Sequence, residues 1–317
     1  MGFTLVAGGD VMLTSAPSSP CFADVAEVFR GGDAAFVNLE LPLTRSRAAA
    51  DKMIRFRADP DRAADLAAAH ITVATVANNH AFDYGPQGLS DTLAALRAHG
   101  VRAVGAGDDL DAALAPCFVD AGGVRMALLG ITSTLPNGCG AGVDRPGVAP
   151  VRVLSRFVVD PVTIDEDPGI SPLVETTAVG EDVRAVTRAV ERAKRHADAV
   201  VVACHWGVPY GWVAQYQGEL ATYQQPLGRA LIDAGADAVI GHHPHVLHGV
   251  EMHRGRPIFY SVGNLLFHAF PRGAVGRSEP LYSLASLHGE INRYGAIARL
   301  HWDGVVRPAP SNCSRRG

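Results

Sequence analysis

Three histidines fall within four residues at His242-His243-Pro244-His245, directly behind the run Ala238-Val239-Ile240-Gly241. Neutral imidazole is the commonest metal ligand among side chains, and His243-x-His245 is half of a site. With an extended backbone, both of these rings are expected to point to one side. The remaining ligands must come from elsewhere, and residues of ligand type recur behind other apolar runs. Asp10 follows Leu5-Val6-Ala7-Gly8-Gly9, and Glu40 follows Phe36-Val37-Asn38-Leu39. Asn79 and His80 follow the run from Ile71 to Ala77, and His205 follows the run from Ala199 to Cys204. Two carboxylates, an amide oxygen and three imidazoles make a hard-to-borderline donor set, suited to one or two ions of manganese, iron or zinc. No thiolate belongs to the set, so an open catalytic site is expected rather than a closed structural one.

Taken singly, some of these residues have plainer readings. Asp10 alone reads more readily as a turn residue or a helix N-cap. Glu40, in apolar company, needs either a cation or a charged partner, and Arg45 is the nearest candidate partner in sequence. Arg45, Arg47, Lys52, Arg55 and Arg57 form a basic run. Most of it reads as a solvated face, with one or two cations, Arg57 among them, available to an anionic small-molecule or oligomeric substrate.

The elements that must position these residues alternate between strand and helix patterns. Apolar runs at Thr4–Ala7, Ala34–Pro42, Ile71–Ala77, Val101–Gly105, Ala199–Cys204, Ala236–Ile240 and Pro257–Leu265 predict strands. Helical periodicity predicts helices over Cys21–Arg30, Asp61–His70, Leu89–His99, Asp108–Ala115 and Glu181–His196, with Val213–Gly235 mostly helical. Asp59-Pro60 reads as an N-cap followed by Pro at N1. Ala121-Gly122-Gly123 predicts a hairpin turn, and Ala296–Trp302 an edge strand. The resulting class is α/β, in which carboxyl ends of neighbouring strands gather the site at one sheet edge. One domain over residues 1–302 is expected, with a lid-like excursion at about 132–180, where periodicity is lost, and a disordered tail at 303–317.

Composition narrows the function. A net charge of −4 over 317 residues gives no basic patch for nucleic acid. The five cysteines are scattered, without a C-x-x-C pair, which argues against a disulfide framework and a cysteine-type zinc knuckle. No apolar stretch is long enough to span a membrane, and the N-terminus reads as a core strand rather than a signal peptide. A cytoplasmic protein without a membrane anchor is expected. Its oligomeric state is left open.

Seven motifs in order resemble one family. They are Gly9-Asp10-Val11-Met12-Leu13, Asn38-Leu39-Glu40, the stretch Ala77-Asn78-Asn79-His80-Ala81-Phe82-Asp83-Tyr84-Gly85, His205-Trp206-Gly207, the stretch Leu231 to Asp237, Gly241-His242-His243-Pro244-His245-Val246 and Tyr260-Ser261-Val262-Gly263-Asn264. Together they look like the CapA family, named for poly-γ-glutamate capsule biosynthesis, within the calcineurin-like metallophosphoesterase superfamily. The resemblance implies a four-layer αββα sandwich. It implies Asp10 and His245 on a first metal, Glu40 bridging, and Asn79, His205 and His243 on a second. It also implies His80, oriented by Asp83, as the histidine that stabilises or protonates the departing group. Asn264 and Tyr210 are further candidates for substrate contact.

Two positions depart from the superfamily pattern. Met12 stands where an imidazole is usual, and a thioether does not replace it for a hard divalent ion. Val208-Pro209 stands where an acidic residue is common. Capsule-associated members typically carry an N-terminal membrane anchor, so a stand-alone member is expected. The implied activity is metal-dependent hydrolysis of a phosphoester or a related acyl or amide centre. Two alternatives remain open: formation or cleavage of a γ-glutamyl-type amide, and a non-catalytic metal-bearing scaffold for polymer synthesis.

Overall fold

Side chains that alternate along each central strand divide this chain into layers. The computed structural model describes residues 2–13, 21–52, 54–209, 218–267 and 290–303. In chain order its strands are β1 (Gly2–Met12), β2 (Ala34–Leu39), β3 (Val73–Thr75), β4 (Arg102–Val104), β5 (Ala106–Gly107), β6 (Cys117–Ala121), β7 (Val124–Thr132) and β8 (Gly147–Val148). They continue with β9 (Val153–Val158), β10 (Leu173–Ala178), β11 (Ala199–His205), β12 (Ala238–His242), β13 (Val250–His253), β14 (Arg256–Phe259), β15 (Asn264–Phe267) and β16 (Ala298–Asp303). One sheet has the order β15-β1-β2-β3-β4, with β16 also on β1; the other has the order β13-β14-β12-β11-β7-β6.

Leu5, Ala7, Phe36, Met126, Leu128, Val201, Ala203 and Ile240 meet in one apolar cluster between the two sheets. Their alternate neighbours Val6, Ala35 and Val37 turn outward to Phe29, Leu66, Leu89 and Leu96 of the helices Ala23–Arg30, Ala63–Ala68 and Gly85–Ala98. On the far side Ala127, Leu129, Val200, Val202 and Val239 meet Val186, Val190, Leu227 and Leu231 of the helices Gly180–Lys194 and Gln224–Asp233. Helix, sheet, sheet, helix is the four-layer αββα sandwich. Strands buried on both faces must be apolar throughout, which is why Val200-Val201-Val202 shows no polar alternation. Each such side chain removed from water contributes roughly 1.5–3 kcal/mol.

Within each sheet the site-bearing strands run parallel: β1 with β2 with β3, and β7 with β11 with β12. Their carboxyl ends therefore collect at one edge of the sandwich. Ala298–Asp303 is the expected added strand, antiparallel to β1.

Some expectations change. The run Pro257–Leu265 is two strands in different sheets, β14 beside β12 and β15 beside β1. The chain crosses between sheets over Tyr260–Gly263, where Gly263 takes φ of 69°. An unbroken apolar run hides that crossing, because both strands are flanked by core. The stretch 132–180 is not without structure. It holds β8 and an antiparallel ribbon of β9 and β10, joined through the short helix Pro161–Glu166. Its side chains lose the core-facing alternation because Leu154 and Phe157 are exposed. The helix expected within Val213–Gly235 is Gln224–Asp233; residues 210–217 and 304–317 lie outside the described residues. No helix among the described residues is long and apolar enough to cross a membrane.

Candidate metal centre

Asp10 reaches the edge of its sheet through an irregularity in β1. The register of β1 shifts between Ala7 and Asp10 against β2, and between Asp10 and Val11 against β15. Gly9 permits this, since a Cβ there would lie 1.9 Å from the Gly263 carbonyl oxygen. A bulge of this kind re-aims one side chain. Asp10 is fully buried, and Asn38 Nδ2 donates to its Oδ1 at 2.8 Å. Glu40 follows β2, donates its backbone N–H to Val11 O at 2.9 Å and is also fully buried. Its Oε1 has no hydrogen-bond partner.

The second sheet brings His205 and His242 to the same level as the register partners that end β11 and β12. Past β12 the backbone is not extended. His243 has φ of 102° and His245 φ of 59°, both in the left-handed region. Such non-glycine positions cost on the order of 1–3 kcal/mol each and cluster at functional sites. The two rings therefore meet different neighbours. His205 Nε2 lies 2.8 Å from Asn79 Oδ1, 3.0 Å from His243 Nδ1 and 3.5 Å from Glu40 Oε1. His245 Nδ1 lies 3.2 Å from Asp10 Oδ2, and its Nε2 lies 3.7 Å from Glu40 Oε1.

These spacings fit shared ions. Donors bound to one ion at about 2.1 Å stand about 3 Å apart. Glu40, His205 and His243 form one compact group, and Asp10, Glu40 and His245 form another. Glu40 belongs to both. Its unpartnered oxygen is the atom that most needs a cation, because a buried polar atom left unpaired costs about 1–3 kcal/mol.

The electrostatics agree. Burial and the adjacent Asp10 charge push the Glu40 carboxyl well above the usual carboxylate range. Burial would also raise Asp10, but the His242 and His245 imidazoles beside it hold its carboxyl well below that range. Burial, then the neighbouring His243, lowers His205 well below the usual imidazole range; burial and His245 lower His243 to about 3. The cluster thus offers two neutral imidazoles, His205 and His243, and two carboxyls that cannot both be charged without a counter-ion.

His80 stands beside this cluster with a carboxylate on its far nitrogen. Its Nδ1 is 2.7 Å from Asp83 Oδ2, and its ring lies 4.7 Å from that of Phe56. Lys52 Nζ binds Asp83 Oδ1 at 2.5 Å and Asn79 O at 2.8 Å, and Phe56 N–H donates to Asp83 Oδ2 at 2.7 Å. Asp83 is therefore fixed from three sides. Burial lowers His80 despite Asp83, keeping the ring neutral.

Other expected residues fall elsewhere. Arg45 pairs with Asp59 and Asp61, so it does not compensate Glu40. Exposed Arg57 lies over the Tyr84 ring at 4.9 Å and donates to Ser46 O. Asn264 Oδ1 takes His245 Nδ1 at 2.9 Å, so this amide orients a ring of the cluster. Tyr210 lies outside the described residues. Met12 packs in the helix-facing core.

Sequence reasoning assigns no role to Asn38, Asn78 or His242, and places Lys52 only within the basic run rather than on Asp83. Asn38 links Asp10 to Asn78, whose Nδ2 donates to Asn38 Oδ1 at 3.0 Å. An amide inside the apolar run of β2 is the available signal. His242 is fully buried with its Nδ1 3.2 Å from Asp10 Oδ1. A cavity of about 630 Å³ opens beside Asn79, lined by Lys52, Phe82, Asn137, Arg145 and others. Arg145 comes from the stretch expected to act as a lid, and it forms no ion pair among the described residues.

Comparison with known proteins gives the following. Residues 4–269 match the family model of bacterial capsule synthesis protein PGA_cap. The PGA biosynthesis protein CapA of Bacillus subtilis (strain 168) is 36% identical over 250 residues, 78% of this chain and 56% of that protein. A probable polyglutamine synthesis accessory protein of Mycobacterium tuberculosis (strain ATCC 25618 / H37Rv) is 36% identical over 239 residues, 74% of this chain and 55% of that protein. The chain spans about half the length of these relatives. A hypothetical protein from Thermus thermophilus superposes with a TM-score of 0.49 at 18% identity, covering 94% of this chain and 98% of that one.

Proposed function

The chain belongs to the bacterial capsule synthesis protein family, and from that premise we propose that its strand-end cluster is the centre of a metal-dependent hydrolase. The bond cleaved is a phosphoester or a related acyl or amide bond of an anionic substrate. The observation that carries this reading is Glu40 Oε1, buried, without a hydrogen-bond partner, and common to two groups of donor atoms.

Glu40, Asn79, His205 and His243 would hold one ion, and Asp10, Glu40 and His245 a second. A divalent cation supplies Lewis acidity and brings the pKa of a water toward roughly 7. The chain's own residues do the rest. Asn38 and Asn264 fix Asp10 and His245 in their rotamers, as outer partners of metal ligands do. Asp83 holds His80 at Nδ1, which leaves Nε2 to hold or move a proton at the departing group. Lys52 keeps Asp83 charged and in place. The cavity beside Asn79 holds the remainder of the substrate, with Arg145 as a cation on its wall.

Purified protein is assayed for bound metal, then for turnover of p-nitrophenyl phosphate, bis(p-nitrophenyl) phosphate and γ-glutamyl-p-nitroanilide with manganese, iron or zinc supplied. Turnover by wild type, lost in His80→Ala at unchanged metal content, supports the reading. Full metal loading with none of the three probes hydrolysed removes it. A second reading has one observation behind it: Met12 leaves the Asp10 group one imidazole short. It is a metal-bearing, non-catalytic accessory to polymer synthesis, and in that case His80→Ala changes nothing.

A further inference from the structure

At His242 both ring nitrogens are buried without a hydrogen-bond partner of regular geometry, which holds for no other imidazole among the described residues. Buried polar side chains are ordinarily paired, so an orphaned ring calls for a reason. Its place in the sheet says where the ring goes. Ala238 and Ile240 of β12 turn into the layer between the sheets, and His242, two residues further on, takes the same side. The ring reaches across that layer to the first sheet. It lies 6.2 Å from the Phe36 ring of β2, and its Nδ1 lies 3.2 Å from Asp10 Oδ1 of β1.

The two oxygens of Asp10 have different surroundings. Oδ1 accepts from Asn38 Nδ2 at 2.8 Å and has His242 Nδ1 within reach. Oδ2 accepts from the His243 backbone N–H at 3.3 Å and faces His245 Nδ1 at 3.2 Å. A neutral imidazole carries a single N–H. On Nε2 that hydrogen would be buried with no acceptor, whereas on Nδ1 it meets the Asp10 carboxylate. A separation of 3.2 Å lies within the range of an N–H···O bond. The terminal torsions of Asp and His are broad enough to align it.

Resting on the metal-centre reading above, we propose that His242 is a positioning residue for Asp10. Its Nδ1–H and Asn38 Nδ2 together hold Oδ1, so that Oδ2 is presented to the ion shared with Glu40 and His245. His242 is not itself a ligand, since it belongs to neither group of donor atoms. It acts from the opposite sheet, so the carboxylate is aimed by a contact that exists only when the two sheets are packed together.

The test is calorimetric titration of manganese into the full chain after chelation and dialysis, with circular dichroism as the check on folding. His242→Asn keeps a donor, because its amide nitrogen is attached to Cγ as Nδ1 is. His242→Gln carries its nitrogen one atom further out, in the place of Nε2, and His242→Leu removes it. His242→Asn is expected to bind within about threefold of wild type. His242→Gln and His242→Leu are expected to weaken one of the two ions by about 10–100-fold, the usual effect of losing an outer partner of a ligand, and to leave the other ion in place. Should His242→Leu fail to fold, the contrast between Asn and Gln carries the same decision. If wild type and all variants bind alike, the metal centre stands and the role of His242 is overturned. His242→Asn as weak as His242→Leu overturns it too, since ring volume rather than the N–H would then be what matters. A wild type that binds no manganese removes the metal-centre reading and this proposal with it.

Discussion

Glu40 Oε1 and His205 Nε2 face each other at 3.5 Å, one carried by each sheet of the sandwich. The carboxylate oxygen has no hydrogen bond, so this approach is maintained by the fold alone. Glu40→Gln keeps the volume and removes the charge. It is expected to lower retained metal at least roughly a hundredfold, beyond the loss typical of outer-partner changes, while the circular dichroism spectrum stays native. Metal analysis after dialysis decides the matter, and full retention by Glu40→Gln would remove Glu40 from the centre.

His80 touches no member of the ligand set by hydrogen bond through its ring, and it has its own carboxylate. His80→Ala is expected to lower kcat by about 10²–10⁴ with metal content unchanged. Loss of metal together with activity would instead make His80 a structural residue.

Asp83 sets a pH dependence. Burial alone would raise its carboxyl, but the paired His80 and Lys52 bring it below the usual carboxylate range. A carboxyl lower in the folded than in the unfolded chain contributes stability that is present above the unfolded value. That stability is lost as pH falls through the folded one. At pH 7, Asp83→Asn is expected to cost about 3–5 kcal/mol in urea unfolding of the metal-free protein. The gap to wild type should close below about pH 4, the ordinary value of an aspartate in an unfolded chain. A gap that stays constant on acidification would contradict the pairing.

Arg145 lines the cavity beside Asn79 from a different part of the chain than the ligands. Arg145→Ala is expected to raise KM for an anionic phosphoester about fivefold while sparing kcat, the pattern of a contact made equally in ground and transition states. A fall in kcat alone would place Arg145 elsewhere in the reaction.

Gly9→Ala tests the bulge that aims Asp10. Its Cβ would fall 1.9 Å from the Gly263 carbonyl oxygen, where both partners are backbone and neither can rotate away. A cost of about 1–3 kcal/mol or more is expected from overpacking, with weaker metal retention because Asp10 moves. Thermal unfolding and metal analysis read the two effects separately.

Much of this is legible in the residues. Apolar runs ending in Asp10, Glu40, Asn79 and His205 announce both the strands and the edge at which they end, because a doubly buried strand cannot carry such groups anywhere else. Local geometry is less visible. The positive φ angles of His243 and His245 send their rings to different neighbours, and no spacing rule foresees that. The crossing at Gly263 lies hidden in an unbroken apolar run. Asn264, expected at the substrate, instead holds His245, a relation that exists only once β15 lies beside β1. The ribbon at β9 and β10 escapes a sequence reading because neither face obeys the pattern of a core strand.

The sharing of Glu40 between two donor groups has a bearing on folding as well as chemistry. His205, His243 and His245 belong to one half of the sandwich, Asp10 and Glu40 to the other, so any ion gripped by both halves acts as a rivet through the sheet-to-sheet seam. Mass action then ties resistance to unfolding to free cation concentration, and a chelator should loosen the seam between the sheets before it melts either one.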